Sequence, residues 1–121
     1  MTQTIINHIK AVYDVEPEFL WAKTPNNAAF RHKKTKKWFA ALLLDLPKEK
    51  LGMHVTGNVD VLNLKCDPIL KGSIVDGVRF FPGYHMNKEH WITILLDGSV
   101  GIEEIIPLID LSFSATNHSK E

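Results

Sequence analysis

Residues 28–47 read AAFRHKKTKKWFAALLLDLP, and this stretch decides the fold. Residues 28–32 read as a strand. Lys33, Lys34, Thr35 and Lys36 read as a hairpin tip, and residues 38–46 as a strongly apolar strand. Pro47 closes that strand because it cannot donate to a sheet ladder. Two strands joined by so short a connection pair antiparallel.

Upstream of the hairpin, Ile5, Ile6, Ile9, Val12 and Tyr13 recur at helical spacing, with Asn7, His8 and Lys10 between them. This predicts an amphipathic helix, capped by Thr2 or Thr4 and ended before Pro17. Residues 19–24 read as a short strand, and Pro25-Asn26-Asn27 as a turn. Downstream, residues 50–56 read as a strand in which Leu51, Met53 and Val55 alternate with Gly52, His54 and Thr56. Gly57-Asn58 turns the chain into residues 60–65, a strand or the lead into a helix. Asp67 is a good N-cap and Pro68 suits the first helical position, so a short helix should run to about Val75. Asp76-Gly77 breaks it. Residues 78–81 are extended, Pro82-Gly83 is a turn, residues 90–96 are a β-branched and aromatic strand, and Asp97-Gly98 is another turn. A last helix over 102–115 puts Ile105, Leu108, Ile109, Ser112 and Phe113 on one face. Pro107 within it either kinks the helix or marks a late start.

The order is therefore helix, several strands, helix, strand, helix. Short turns between strands and helices at the ends of the run predict an α+β fold, a single antiparallel sheet with helices on one face.

The chain has 121 residues and a mass of 13.7 kDa, which predicts one domain spanning 1–121. Hydrophobic residues make up 45% and charged residues 23%, the balance of an ordinary soluble domain. Fourteen basic and fourteen acidic residues cancel. That argues against a surface given over wholly to nucleic acid or anionic lipid. The zero hides an asymmetry: residues 1–60 carry 9 basic and 6 acidic side chains, and residues 61–121 carry 5 and 8. Cys66 is the lone cysteine, so neither an internal disulfide nor a thiolate metal site is expected. No signal-peptide pattern or membrane-length apolar run occurs, which sets a reduced cytoplasmic compartment as the expectation.

Three features are candidate sites. The first is the cationic tip, Arg31, Lys33, Lys34, Lys36 and Lys37, with Phe30, Trp38 and Phe39 beside it. Such a tip can contact phosphates without reading bases; its bland alternative is a solvated turn that protects an edge. The second is residues 82–91, PGYHMNKEHW. His85 and His90 lie five apart across a turn, without a cysteine partner, which is not metal-ligand spacing. The turn suits either a ligand pocket or a structured entry to a core strand with Trp91 buried. The third is residues 63–68, NLKCDP. Asn63 and Lys65 share a strand face and could hold an anion, while Cys66 reads as a small buried hydrophobe. No phosphate-binding Gly loop, dinucleotide fingerprint or nucleophile elbow occurs. No catalytic residue, metal or cofactor is assigned.

These residues carry a resemblance. The run PGYHMNKEHWITILLDG, preceded by NLKCDP and by Lys37 to Ala40 (KWFA), resembles the MmcQ/YjbR family of small bacterial proteins. His85, Lys88, His90 and Trp91 form its specific element, with Ser112-Phe113 as the pair in the final helix. The resemblance implies a CyaY-like (frataxin-like) fold and low-specificity DNA binding through a double-wing arrangement, with the 33–37 tip as one wing. It carries over no catalytic residues. Nor does it carry over a frataxin-type iron site, because the first helix offers only Asp14 and Glu16 near its end. The alternative function is a non-enzymatic module that binds a small molecule or protein through Asn63, Lys65, His85, Lys88, His90 and Trp91. A monomer is the default state.

Overall fold

The computed structural model describes residues 1–117. Helix α1 spans Thr2–Tyr13, followed by strands β1 (Ala28–Arg31), β2 (Trp38–Pro47) and β3 (Asn58–Lys65). Helix α2 (Pro68–Ile74), strands β4 (Phe80–Pro82) and β5 (Trp91–Leu95), and helix α3 (Ile102–Thr116) complete it. The strands form one antiparallel sheet in the order β1-β2-β3-β5-β4.

All three helices contribute to one face. Ile5 and Ile9 of α1 and Ile105 and Ile109 of α3 bury against Phe30, Ala40, Leu42, Leu62, Leu64, Ile92 and Ile94, with Leu70 and Ile74 of α2 packed at the edge. This is the expected one-sided arrangement, and removing that apolar area from water dominates the stability. Ser112 stitches α3 to the sheet: its hydroxyl donates to the Phe39 carbonyl at 2.5 Å and accepts from the Lys65 N–H at 2.8 Å. Tyr13 stacks on Phe113 at 3.8 Å and donates its hydroxyl to Asp110, which also bonds His8 Nε2 at 3.0 Å.

The opposite face carries a smaller apolar cluster, Val59, Val61, Phe81 and Leu95, with Leu43, Leu46, Leu51 and Met53 against it. It explains one departure from expectation. Residues 50–56 are not a strand; Lys48–Leu51 is a single 3-10 turn closed by Gly52 at φ 82°. The alternation of Leu51 and Met53 is satisfied by packing on this cluster, while Val55 is 53% exposed.

Residues 19–24 also form no strand. Only Glu18 bridges Ala29, after which Phe19 and Leu20 stay exposed. Trp21 instead packs edge-to-face on Trp38, and the segment ends in a turn where the Asn27 N–H donates to the Thr24 carbonyl at 3.0 Å. Neither Thr2 nor Thr4 caps α1: Met1 holds the N-cap position, with no side-chain bond. Asp67 does cap α2, its carboxylate accepting from Ile69 and Leu70 N–H. Pro107 sits inside α3 and does not delay its start at Ile102.

Burial pushes the Asp110 carboxyl up, but the hydrogen bonds from Tyr13 and His8 outweigh it, and the group titrates below its ordinary value. A carboxyl depressed in the folded state contributes stability above its unfolded pKa of about 4 and loses it as pH falls further. Asp110→Asn should therefore lower the melting temperature at pH 7. The gap to the parent should narrow between pH 5 and 3 in parallel thermal melts; a gap that widens contradicts the assignment.

Candidate functional site

The sheet face away from the helices holds a groove of ≈ 490 Å³. Its floor is Ala41, Leu43 and Asn63. One wall is the 21–27 segment, with Trp21, Thr24 and Asn27, and the other is Tyr84, His85 and Met86. Trp38 closes one end, and residues 44–47 line the other.

Two bulges in β2 build it. Phe30 pairs with Ala40 but Arg31 pairs with Trp38, so β2 takes an extra residue there. Phe39 and Ala40 both join the helical core, and Trp38 turns to the groove with Ala41. Without that bulge, period-2 alternation would put Trp38 on the core face with Ala40 and Leu42. Leu43 pairs with Val61 but Leu46 with Val59, a second extra residue, with Asp45 left-handed at φ 56°. Leu43 and Leu46 thus share the open face while Leu44 packs toward the helices.

The Tyr84 wall is held by a buried clamp. Asn63 and Thr93 are cross-strand partners, 1% and 0% exposed. Thr93 donates its hydroxyl to Asn63 Oδ1 at 2.5 Å and accepts from the Tyr84 N–H at 2.8 Å. Asn63 Nδ2 donates to the Tyr84 carbonyl at 2.9 Å. Both backbone groups of Tyr84 are therefore fixed. Gly83 is the only residue that fits before it, because a Cβ there would lie 2.6 Å from Trp91 Cβ. On the other wall, the Asn27 carboxamide accepts from the Leu44 N–H at 2.7 Å, where β1 no longer covers β2.

The residues singled out in sequence divide between building and lining. His85 lines the groove, exposed, at φ 58° and with its ring 4.1 Å from Tyr84. Asn63 lines the floor, but its amide is committed to the clamp. Lys88 turns inward and donates to the Gly83 carbonyl at 3.0 Å, and Lys71 donates to the Lys88 carbonyl at 2.6 Å. The His90 carbonyl accepts from the Cys66 N–H at 2.7 Å. Trp91 is 8% exposed, with Lys65 Nζ 5.7 Å from its ring centre. Lys65, Lys88, His90 and Trp91 thus do not converge on the groove; they hold the turn beside it. Cys66 is buried, and burial followed by the Asp67 charge pushes its thiol up. No metal-sized group of three or more His, Cys, Asp or Glu occurs among the described residues.

The cationic tip is interleaved with carboxylates. Arg31 forms a two-point pair with Glu18, 3.0 Å from Nε and 2.5 Å from Nη2, and Lys33 reaches Asp14 at 2.6 Å. The Arg31 and Lys33 hydrogen bonds hold the Glu18 and Asp14 carboxyls below their ordinary values. Lys34 and Lys36 are exposed, Lys36 at φ 65°. Sequence reasoning missed Trp21, Asn27, Ala41 and Tyr84 as groove residues. The available signal was a pair of tryptophans flanking the hairpin, in a chain with three.

The fold and groove define a class: small α+β proteins with one antiparallel sheet, helices on one face and a cleft on the other. The chain belongs to the YjbR family, whose sequence model matches residues 10–115. It is 43% identical over 114 residues to the uncharacterized protein YyaQ of Bacillus subtilis, covering 94% of this chain and 96% of that one. A crystal structure of a Pseudomonas syringae protein superposes with a TM-score of 0.90 at 44% identity, covering 97% of this chain and 99% of that one. A Deinococcus radiodurans protein with a DUF419 domain shares the fold, with a TM-score of 0.72 at 20% identity, covering 99% and 83% of the two chains. Among the described residues no helix is long and apolar enough to cross a membrane.

Removing the clamp should destabilise the protein, while removing the groove imidazole with the left-handed backbone kept should not. Asn63→Ala leaves buried partners of the amide unsatisfied and should cost about 1–3 kcal/mol in urea unfolding. His85→Asn, which removes the imidazole but keeps a residue that tolerates the left-handed backbone at φ 58°, should stay within about 0.5 kcal/mol of the parent. Equal losses in the two variants contradict this division of roles.

Proposed function

We propose that this protein is a non-catalytic binding module and that the groove over β2 is its ligand site. The observation that carries the reading is the commitment of Asn63 and Thr93, both buried, to fixing one wall residue, Tyr84. A wall fixed in advance lowers the ordering cost of binding. The volume of ≈ 490 Å³ falls within the range of about 300–1,000 Å³ occupied by small-molecule sites. Tyr84 and His85 supply polar contacts, and Trp21, Trp38, Leu43 and Met86 supply apolar area. We read the fold as CyaY-like, with residues 1–121 acting as one cytoplasmic domain and the monomer as the working unit.

A small-molecule thermal-shift screen tests this reading. Compounds that raise the melting temperature of the parent should fail to do so in Ala41→Leu, whose larger side chain fills the floor. Retention of stabilisation by every hit in that variant overturns the groove as the site.

A second reading is low-specificity DNA binding by the 31–37 tip. It is favoured by the exposure of Lys34 and Lys36 at the end of the hairpin. Arg31 and Lys33 support it less, because Glu18 and Asp14 already neutralise them. Duplex affinity should then fall with salt along a shallow slope of about two to three phosphate contacts, and the slope should shrink when Lys34, Lys36 and Lys37 become Ala. Absence of binding at low salt removes this second reading alone.

A further inference from the structure

We propose that the groove selects a ligand carrying a quaternary or alkylated ammonium group, held against the tryptophan pair; this rests on the groove being the ligand site. Trp21 and Trp38 meet at 90° with ring centres 5.7 Å apart, and both rings line the groove. Two indoles at right angles present a face and an edge to one corner. A cation over an indole face is attracted by the ring quadrupole, and indole is the strongest such partner among side chains. On the opposite wall, Tyr84 and His85 form a second near-perpendicular pair, at 75°.

The charges around the groove point the same way. Among the described residues, Asp45 is the carboxylate in its lining, at the end away from Trp38, and no lysine or arginine lines it. Asp45 keeps its carboxylate near the Pro47 end, where Asn58 Nδ2 holds Oδ1 at 3.0 Å. Two sheet cations near the groove are occupied elsewhere, and exposed Lys23 lies in the wall segment without lining the groove. Arg31, the register partner of Trp38, is paired with Glu18 at both ends of its fork. Lys65, on the same face, lies over Trp91. An anionic ligand would enter a lining with a carboxylate and no fixed counter-charge. An alkylated ammonium is weakly hydrated, so it gives up little on leaving water for an indole corner.

The experiment compares three aromatic probes of similar size: benzyltrimethylammonium, benzyl alcohol and benzoate. Binding is read from the three tryptophan indole N–H signals by two-dimensional NMR. Benzyltrimethylammonium should shift the Trp21 and Trp38 signals and leave buried Trp91 in place. It should bind about tenfold more tightly than benzyl alcohol, with benzoate the weakest. Trp38→Leu should erase the preference for the cation. Circular dichroism checks that each variant folds. Equal binding of cation and alcohol, lost in Ala41→Leu, overturns the ammonium assignment and leaves the groove as a ligand site. Tightest binding of benzoate, or shifts confined to Trp91, also overturns the assignment. Failure of the cation to shift either groove tryptophan overturns it as well, while failure of the groove itself is read from the Ala41→Leu screen.

Discussion

Strand β2 must serve two faces at once, and the rest of the structure depends on how it does so. A regular strand sends alternate side chains to opposite sides. Residues 38–47 hold seven apolar side chains besides Trp38 and Pro47, too many for one core. The two bulges divide them. Phe39, Ala40, Leu42 and Leu44 go to the helices, and Trp38, Ala41, Leu43 and Leu46 go to the other face. Bulges bend a strand and re-aim its side chains, and here they place a small residue, Ala41, between larger ones.

The conspicuous turn of the chain, residues 82–91, takes on meaning from that arrangement. Its His, Lys and Trp residues look like a reactive cluster in sequence. In the fold Lys88 donates to the Gly83 carbonyl and Lys71 of α2 to the Lys88 carbonyl, Trp91 packs against Gly83, and the His90 carbonyl accepts from the Cys66 N–H. The buried side-chain nitrogens and oxygens among the described residues all have partners. The turn places Tyr84 and His85 along the groove. A groove wall built on a rigid sheet and a clamped turn is better defined than one on a free loop.

Much of the architecture was legible because local chemistry and tertiary need agree. Ile5 and Ile9 mark one helix face and Ile105 and Ile109 another, and each pair is fully buried. Asp67-Pro68 announces a helix start and is one. Legibility failed where an apolar alternation had two possible uses. Leu51 and Met53 alternate as a strand would, yet they cap the second cluster from a 3-10 turn and loop. Residues 19–24 have strand-like composition, yet Trp21 packs edge-to-face on Trp38 rather than pairing its backbone. Both cases are tertiary contacts overriding a local preference.

The charge balance shows the same division. The amino-acid sequence by itself determined the helix faces, the antiparallel hairpin, the turn residues and a cationic tip, because each depends on neighbours a few positions apart. Only the tertiary structure decided that Glu18 and Asp14 neutralise Arg31 and Lys33. It alone brought Trp21, Trp38, Asn63 and Tyr84, spread over more than sixty residues, to one cleft. The physical reason is that bulge position and cross-strand register arise from packing two faces against one sheet. That is a long-range constraint which no local pattern encodes.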